Sequence, residues 1–268
     1  MIQIELQHLS KTYRIPERTE GTPPRLRSLF HPAYTEKQAV RDLSFSIDQG
    51  ECVAFLGANG AGKSTTIKML TGIMAPTGGS VRVCGKDPFR NRLENAAQIG
   101  VVFGQKTQLW WDIPVIETFR LLKSIYQIPT ETYNRNLTHF RELLELDAFL
   151  DQPARKLSLG QRVRADLTAS LLHEPPVLFL DEPTIGLDVA VKQKIYYFLR
   201  ELHQRQHTTI LLTSHDMNDL ESLCERLIIL EQGQLLFDDA IDRIFDAYPE
   251  GTTLEEIVIG LFNRRSHV

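Results

Sequence analysis

A glycine-rich segment fits the pattern G-x-x-x-x-G-K-[ST]: Gly57-Ala58-Asn59-Gly60-Ala61-Gly62-Lys63-Ser64-Thr65. It lies between a predicted strand at residues 51–56 and a helical pattern, so we predict strand, loop and helix in that order. Glycines let such a loop aim several N–H groups at phosphate oxygens, and the helix N-terminus adds positive potential. Lys63 would reach the β- and γ-phosphates, and the Ser64 hydroxyl would ligate magnesium. The competing interpretation is a glycine-rich structural turn.

A second stretch supplies two adjacent carboxylates. Val177-Leu178-Phe179-Leu180-Asp181-Glu182 is an apolar strand that ends in acidic residues. In an enzyme with a phosphate loop of this kind, such a strand lies beside the loop, so Asp181 can hold magnesium directly or through water. Glu182 is then placed to orient and deprotonate the attacking water. The competing interpretation is that both carboxylates only begin a solvated turn before Pro183.

Composition narrows the class of protein. The chain has 268 residues, 42% of them hydrophobic, and a net charge of -4, which excludes global disorder. No run approaches the ~18 apolar residues that span a bilayer, and residues 1–6 alternate like a strand, so we expect neither a membrane span nor a signal peptide. Three cysteines without metal-ligand spacing predict reduced, buried thiols. The slight acidity argues against a nucleic-acid partner.

The alternation of short apolar runs with helical patterns predicts an α/β fold, with a parallel or mixed sheet covered by helices. No internal repeat is visible. The predicted strands are residues 2–9, 43–47, 51–56, 80–84, 99–103, 177–180, 208–213 and 226–231, with a final hairpin strand at 234–237.

Two segments interrupt this alternation. Residues 14–38 contain four prolines and predict an irregular insertion with one short helix around residues 26–30. Residues 106–173 predict a helical subdomain, with Pro114 at the first position of one helix, a second helix from about Thr130 and a third after Ser158.

Residues 246–268 are predicted to form a C-terminal helical tail after a main domain of residues 1–245. Thr253 precedes Glu256 by three residues, which is the spacing of a capping box. The apolar stripe that follows predicts packing against the core, although a helix that docks a partner would show the same stripe. Its members are Leu254, Ile257, Val258, Leu261 and Phe262.

Further motifs stand in a consistent order around the phosphate loop. Leu157-Ser158-Leu159-Gly160-Gln161 is similar to the signature L-S-G-G-Q, and Gly186-Leu187-Asp188 corresponds to a D-loop. Gln105 follows one predicted strand, His215 follows another, and Tyr13 follows the first. With these motifs the chain resembles the nucleotide-binding domain of an ABC transporter. That resemblance implies a P-loop NTPase core with a mixed sheet, an antiparallel β subdomain and an inserted helical subdomain.

The resemblance also implies roles for particular residues, with ATP and Mg²⁺ as cofactors. Glu182, His215 and Gln105 would be catalytic, and Ser64, Gln105 and Asp181 would hold the metal. Nucleotide would bind to Tyr13, stacking on adenine, and to phosphate-loop, signature and D-loop residues. These are Gly57, Asn59, Gly60, Ala61, Gly62, Lys63, Ser64, Thr65, Ser158, Gly160, Gln161 and Asp188.

The implied mechanism needs partners. Two such domains would face head-to-tail around two ATP molecules, so that the signature of one copy meets the phosphate loop of the other. The second domain would be another copy of this chain or a paralogous ATPase subunit. An integral membrane permease would convert the motion into transport, which places the chain at the cytoplasmic face of the cell membrane.

The sequence departs from the family pattern at three places. Leu159 replaces a glycine, so we expect it to crowd the signature turn or to contact a neighbour. Gly186-Leu187-Asp188 lacks the common serine-alanine start. The insertion at 14–38 separates Tyr13 from the rest of the nucleotide site.

Trp110 and Trp111 follow the glutamine motif and predict a docking site for the membrane subunit, because exposed adjacent tryptophans are favoured interface anchors. They could instead be buried between the helical subdomain and the core. The surrounding sequence is similar to exporter subunits, which favours export of a drug, lipid or polysaccharide over import by an ABC importer. Two further classes compete with a transporter subunit: a soluble ABC ATPase acting on ribosomes or DNA, and an unrelated kinase or GTPase.

Overall fold

A three-stranded antiparallel sheet forms one layer of the molecule. The computed structural model describes residues 1–16, 34–104, 106–214 and 216–265. In it, β1 (Ile2–Pro16) lies between β2 (Tyr34–Asp48) and the strand Gly78–Val83, which is β4 in chain order. This sheet is the antiparallel β subdomain that the family resemblance implies.

A six-stranded mixed sheet forms the second layer, in the order β5-β6-β7-β3-β8-β9. All neighbours pair in parallel except β8 and β9, which form an antiparallel hairpin. The strands are β3 (Cys52–Gly57), β5 (Ile99–Phe103), β6 (Val177–Asp181), β7 (Thr209–Thr213), β8 (Arg226–Glu231) and β9 (Gln234–Ala240).

The central strands are apolar throughout because each face meets a different core. In β3, Val53 and Phe55 point into a core shared with the three-stranded sheet, whereas Cys52, Ala54 and Leu56 point into a core shared with the helices. Parallel strands that are covered on both faces lose the alternation of polar and apolar residues. The phosphate loop and both carboxylates therefore follow strands that are rigidly held.

Helices cover the large sheet and form the inserted subdomain. Ser158 caps the helix Leu159–Leu171 with a complete capping box. The helices are α1 (Lys63–Leu70), α2 (Arg92–Gln98), α3 (Val115–Ile125), α4 (Thr130–Leu143), α5 (Leu159–Leu171), α6 (Val189–Gln206), α7 (Met217–Leu223), α8 (Ile241–Phe245) and α9 (Leu254–Arg265).

The prediction of an irregular insertion at 14–38 is wrong at both of its ends. Residues 14–16 continue β1 and residues 34–38 begin β2, with Arg14 paired to Glu36 across the ladder. The first five residues of β2 are exposed, so they lack the apolar alternation that marks a strand. Their extended form comes from pairing with β1. The short helix predicted around residues 26–30 lies outside the described residues.

Pro114 also differs slightly from its predicted position. It occupies the N-cap with φ of -54° and ψ of 146°, and α3 begins at Val115. Proline at the N-cap satisfies the same requirement as at the first helical position, since neither site needs its N–H for a helical hydrogen bond.

The tail helix α9 packs onto the body of the protein, which confirms the packing interpretation of its apolar stripe. Leu254, Ile257 and Val258 are 1–2% exposed and belong to the core on the helical side of the sheet. The predicted capping box is present, because the Thr253 N–H donates to Glu256 Oε2 and the Glu256 N–H donates to Thr253 Oγ1.

The three cysteines are free thiols, but they are not equally buried. Cys52 and Cys224 are buried, whereas Cys84 is only partly buried and accepts a hydrogen bond from Gln3 at 3.0 Å. The prediction of three buried thiols is therefore wrong for Cys84, which lies just beyond the end of β4. Of the helices that the structure describes, none has the length and apolar character needed to cross a bilayer.

Candidate functional site

The phosphate loop joins β3 to α1, and the residue just before α1, Gly62, has a backbone conformation that favours glycine. Gly62 has φ of +107°, and a Cβ there would lie 2.6 Å from the Ala39 carbonyl oxygen. The Thr66 N–H is the first to bond back along the helix, to Gly62 O at 2.9 Å. The earlier N–H groups of a helix have no intrahelical acceptor, which makes this end of α1 suited to bind an anion.

Lys63 places a positive charge beside this loop. The side chain is 8% exposed, and Nζ donates to Gly57 O at 2.5 Å and to Ala58 O at 3.4 Å. Burial lowers the pKa of Lys63, and the charges of Glu182 and Asp181 oppose that shift. A bound phosphate would replace these two uncharged carbonyl acceptors of Lys63 Nζ with a charged acceptor.

The two carboxylates at the end of β6 are positioned by Thr213 of the neighbouring strand. Thr213 Oγ1 donates to Asp181 Oδ1 at 2.9 Å and accepts from the Glu182 N–H at 2.9 Å. Glu182 has φ of +54°, a strained conformation for a non-glycine residue that marks many functional sites. No sequence motif predicts Thr213. A polar residue at the carboxyl end of a parallel strand is nevertheless a position where site residues often lie, and it could have pointed to Thr213.

Phosphate loop and carboxylates meet in one cavity. Ser64, Asp181 and Glu182 line it together with Phe103, Gly104 and Lys106. A hydroxyl and a carboxylate are hard oxygen donors of the kind that Mg²⁺ prefers. The described residues contain no cluster of three or more His, Cys, Asp or Glu side chains that could hold a metal. This donor set fits a magnesium ion that takes its remaining ligands from phosphate and water.

Tyr13 borders the same loop from the side of the three-stranded sheet. Its hydroxyl lies 3.4 Å from Thr65 Oγ1 and 3.2 Å from Met74 Sδ. Tyr13 lines a groove with Lys37 and with residues 59–65 of the phosphate loop and helix α1. The insertion therefore does not separate Tyr13 from the nucleotide site, because Lys37 pairs with Tyr13 across β1 and β2. Its stacking on adenine stays a prediction.

The signature and the D-loop are neighbours. Ser158 and Gln161 bond to each other at the start of α5, where the Gln161 N–H donates to Ser158 Oγ at 3.2 Å. Leu159 is 38% exposed, and its Cδ2 would lie 3.2 Å from a Cβ built on Gly186. Leu159 therefore packs against a neighbouring segment of the chain at Gly186. This is one of the two predictions for Leu159; the other is that it crowds the signature turn. Gly160 faces Val191 at the start of α6.

Asp188 has a structural partner in the free chain. Its Oδ1 accepts from the Val191 N–H at 3.0 Å and caps α6. The predicted contact of Asp188 with nucleotide stays a prediction.

The chain does not bring all predicted site residues together. Among the described residues, no hydrogen bond joins the signature, 157–161, to the phosphate loop, 57–65, and the two line different cavities. Gln105 and His215, predicted to be catalytic, lie outside the described residues. One chain therefore assembles phosphate loop, carboxylates and Tyr13, and leaves Ser158 and Leu159 exposed elsewhere.

Trp110 and Trp111 are 43% and 49% exposed, so the interpretation that they are buried between the helical subdomain and the core is wrong. The Trp110 N–H donates to Thr118 Oγ1 at 3.3 Å, and the Arg162 guanidinium lies 5.3 Å from the Trp111 ring centroid. These contacts hold the pair at the surface of the helical subdomain.

The fold and the site together define a phosphate-loop ATPase with a β subdomain and an inserted helical subdomain. A family model described as "ABC transporter" matches residues 40–185. The Nod factor export ATP-binding protein I of Paraburkholderia xenovorans (strain LB400) is 38% identical over 208 residues, covering 78% of this chain and 68% of that protein.

Two solved structures are similar over most of the chain. A structure of an ATP-binding subunit of an ABC transporter has a TM-score of 0.80 at 25% identity, covering 97% of this chain and 99% of that one. A dimeric ATP-binding cassette in a post-hydrolysis state with ADP and Pi has a TM-score of 0.74 at 25% identity, covering 89% and 98%. The chain belongs to the ABC transporter family, as an ATP-binding subunit with ATPase activity.

Proposed function

We propose that two copies of this chain, or this chain and a paralogous subunit, close head-to-tail around two ATP molecules and open after hydrolysis. The observation that carries the proposal is the separation of the site: the phosphate loop and the exposed Ser158 lie in different parts of one chain, and the signature and the loop line different cavities. A second copy would bring its signature helix N-terminus to the γ-phosphate as an anion site supplied in trans. The dimeric cassette with ADP and Pi supports this arrangement.

Each residue of the site has a chemical task in this proposal. The N–H groups at the start of α1 and Lys63 bind the phosphates, and Tyr13 packs on the adenine. Ser64 and Asp181 would hold Mg²⁺, which neutralises phosphate charge when bound. Glu182 accepts the proton of the attacking water while Thr213 fixes its backbone. Gln105 and His215 would complete the catalytic set.

The membrane partner is proposed to dock on Trp110 and Trp111. Each ring is about half exposed, which is costly in water and favourable in an interface. We infer an integral membrane permease as the partner, at the cytoplasmic face of the cell membrane. The relative named for Nod factor export supports export, and a drug, lipid or polysaccharide is the proposed cargo class.

Reconstitution tests the direction of transport. The chain and its copurified permease are placed in proteoliposomes with the ATPase facing outward, and a panel of labelled drugs, lipids and polysaccharides is added outside with Mg-ATP. Export predicts that one class accumulates in the lumen with the native chain and not with Glu182→Gln. ATP-dependent release from loaded vesicles, with no accumulation, would contradict the proposal.

A further inference from the structure

Asp166 is a buried carboxylate in the middle of the signature helix α5, and the site described above does not use it. The residue is 4% exposed. Its Oδ1 accepts from Thr107 Oγ1 at 2.9 Å and from the Gln108 N–H at 3.0 Å. The Gln108 side-chain amide donates to the Asp166 carbonyl oxygen at 2.9 Å. Three hydrogen bonds thus join one helical residue to residues 107 and 108.

The surroundings show why a charge is tolerated there. Buried carboxylates are stable only when hydrogen bonds or opposite charges compensate their lost hydration. Arg162 lies one turn earlier on α5, and Lys106 lines the same cavity as Arg162 and Asp166. The charge of Arg162 and the two donors from residues 107 and 108 favour the ionised form. An apolar side chain at this position would need no such compensation. The presence of a buried carboxylate here therefore calls for a functional explanation.

The chain just before these residues is anchored at the catalytic carboxylates. The Gly104 N–H donates to the Asp181 carbonyl oxygen at 2.9 Å, and a Cβ on Gly104 would overlap the Glu182 carbonyl oxygen. The Lys106 N–H donates to Phe103 O at 2.9 Å. Gly104 and Thr107 are therefore two anchor points with only two residues between them in the chain.

We propose that Asp166 is a positioning residue that ties the signature helix to Asp181 and Glu182 through the anchor points at Gly104 and Thr107. The Lys106 N–H bond to Phe103 O joins the loop before Thr107 to the end of β5, and Phe103 pairs with Asp181 in the sheet. A rotation of α5 is then transmitted to the carboxylates. Ser158 lies at the N-terminus of the same helix, so engagement of the partner's ATP there would align Glu182. This inference rests on the proposed two-copy site.

The connection that Asp166 makes between α5 and residues 107 and 108, here called the link, should depend on pH. Burial raises the pKa of Asp166 to about 6, against the hydrogen bonds from Gln108 and Thr107 and the charge of Arg162. Besides Asp166, Arg162 on α5 and Lys106 on the facing loop are the charged residues that line its cavity, and the other described lining residues carry no titratable group. Above pH 6 the ionised carboxylate accepts both bonds strongly; below it, protonation weakens them. The link should therefore loosen as the pH falls through about 6.

Paired substitutions of Asp166 test the proposal. Asp166→Asn keeps an acceptor at the Oδ1 position, whereas Asp166→Leu has none. We expect Asp166→Leu to lower kcat for ATP hydrolysis about tenfold or more, with the affinity for a fluorescent ATP analogue within about twofold of native, because a displaced catalytic group affects the chemical step. Asp166→Asn should stay within about threefold and lose the component of the pH profile near 6.

Native turnover by Asp166→Leu, with normal nucleotide binding, would refute the proposal. If that variant does not fold, Thr107→Val decides: it removes one donor, and it should lower kcat while Thr107→Ser restores it. Native turnover by Thr107→Val would then refute the link. A native chain that does not hydrolyse ATP would instead refute the proposed function.

Discussion

Thr213 shows how a single residue holds two others in their working positions. Its hydroxyl donates to Asp181 and accepts from the Glu182 N–H, so one side chain fixes both the expected metal ligand and the expected base. The strained φ of +54° at Glu182 persists because Thr213 and the end of β6 over-determine that backbone.

Replacing Glu182 tests its chemical role. Glu182→Gln should leave ATP binding intact and abolish hydrolysis, because an amide of the same shape cannot accept a proton from water. Phosphate release and equilibrium binding of ATP measure the two effects separately. Turnover near that of the native chain would remove Glu182 from its assigned role.

Thr213→Val should lower kcat while ATP affinity changes little. The isosteric side chain loses both hydroxyl hydrogen bonds, and the cost in unfolding free energy should be about 1–2 kcal/mol, because the Glu182 N–H keeps its second acceptor, Thr213 O. Thr213→Ser is the matched control and should retain most of the activity. Equal kcat values for the two variants would show that the hydroxyl does not position the carboxylates.

Local motifs predict all four residues of the loop and carboxylate sites: Lys63 and Ser64 belong to one strand-loop-helix unit, and Asp181 and Glu182 follow one apolar strand. Thr213 and Asp166 could not be found in this way. Thr213 meets Asp181 across 32 positions of the chain, and Asp166 meets Thr107 across 59. Strand register and helix packing, which are long-range properties, create both contacts.

Among the elements, helix α9 belongs to the core on the helical side of the large sheet. The proposed division of the chain after residue 245 separates elements that share this core, since Leu254, Ile257 and Val258 pack with residues such as Leu220 and Leu223. The 3.6-residue period of the stripe and the capping box together predict this helix. The exposed start of β2 has no such period, so its strand could not be predicted.

A matched pair in α9 tests this packing. Ile257 is 1% exposed and Ile259 is 50% exposed. Ile257→Ala should lower the free energy of unfolding by about 2–4 kcal/mol through lost burial and a cavity. Ile259→Ala should change it by less than about 0.5 kcal/mol. Equal effects in denaturant titration would contradict the docking of α9 on the body of the protein.

For the whole molecule, the position of the tryptophan pair suggests how transport couples to ATP. Trp110 and Trp111 lie on the helical subdomain, a few residues after the anchor point at Thr107. A permease docked there would contact the same subdomain that, in the proposed two-copy site, would present Ser158 to the partner's ATP.

Trp110→Ala combined with Trp111→Ala should reduce recruitment to membranes that contain the permease by about tenfold or more, as expected for interface anchors. Vesicle flotation measures the bound fraction. Tyr197→Ala, which removes another exposed aromatic ring on α6, is the control and should bind normally. Undiminished binding by the double variant, with a native melting temperature, would place the docking surface elsewhere.

Sedimentation of Glu182→Gln with and without Mg-ATP tests whether two copies of the chain form the site. We expect a monomer without nucleotide and a dimer with saturating ATP. Adding Ser158→Arg should abolish the dimer while ATP still binds, whereas Ser158→Thr, which preserves the helix cap, should still form it. A Glu182→Gln chain that binds ATP and remains monomeric would refute a site built from two copies of this chain, and a Ser158→Arg chain that dimerises equally well would refute the contact of Ser158 with the partner's ATP.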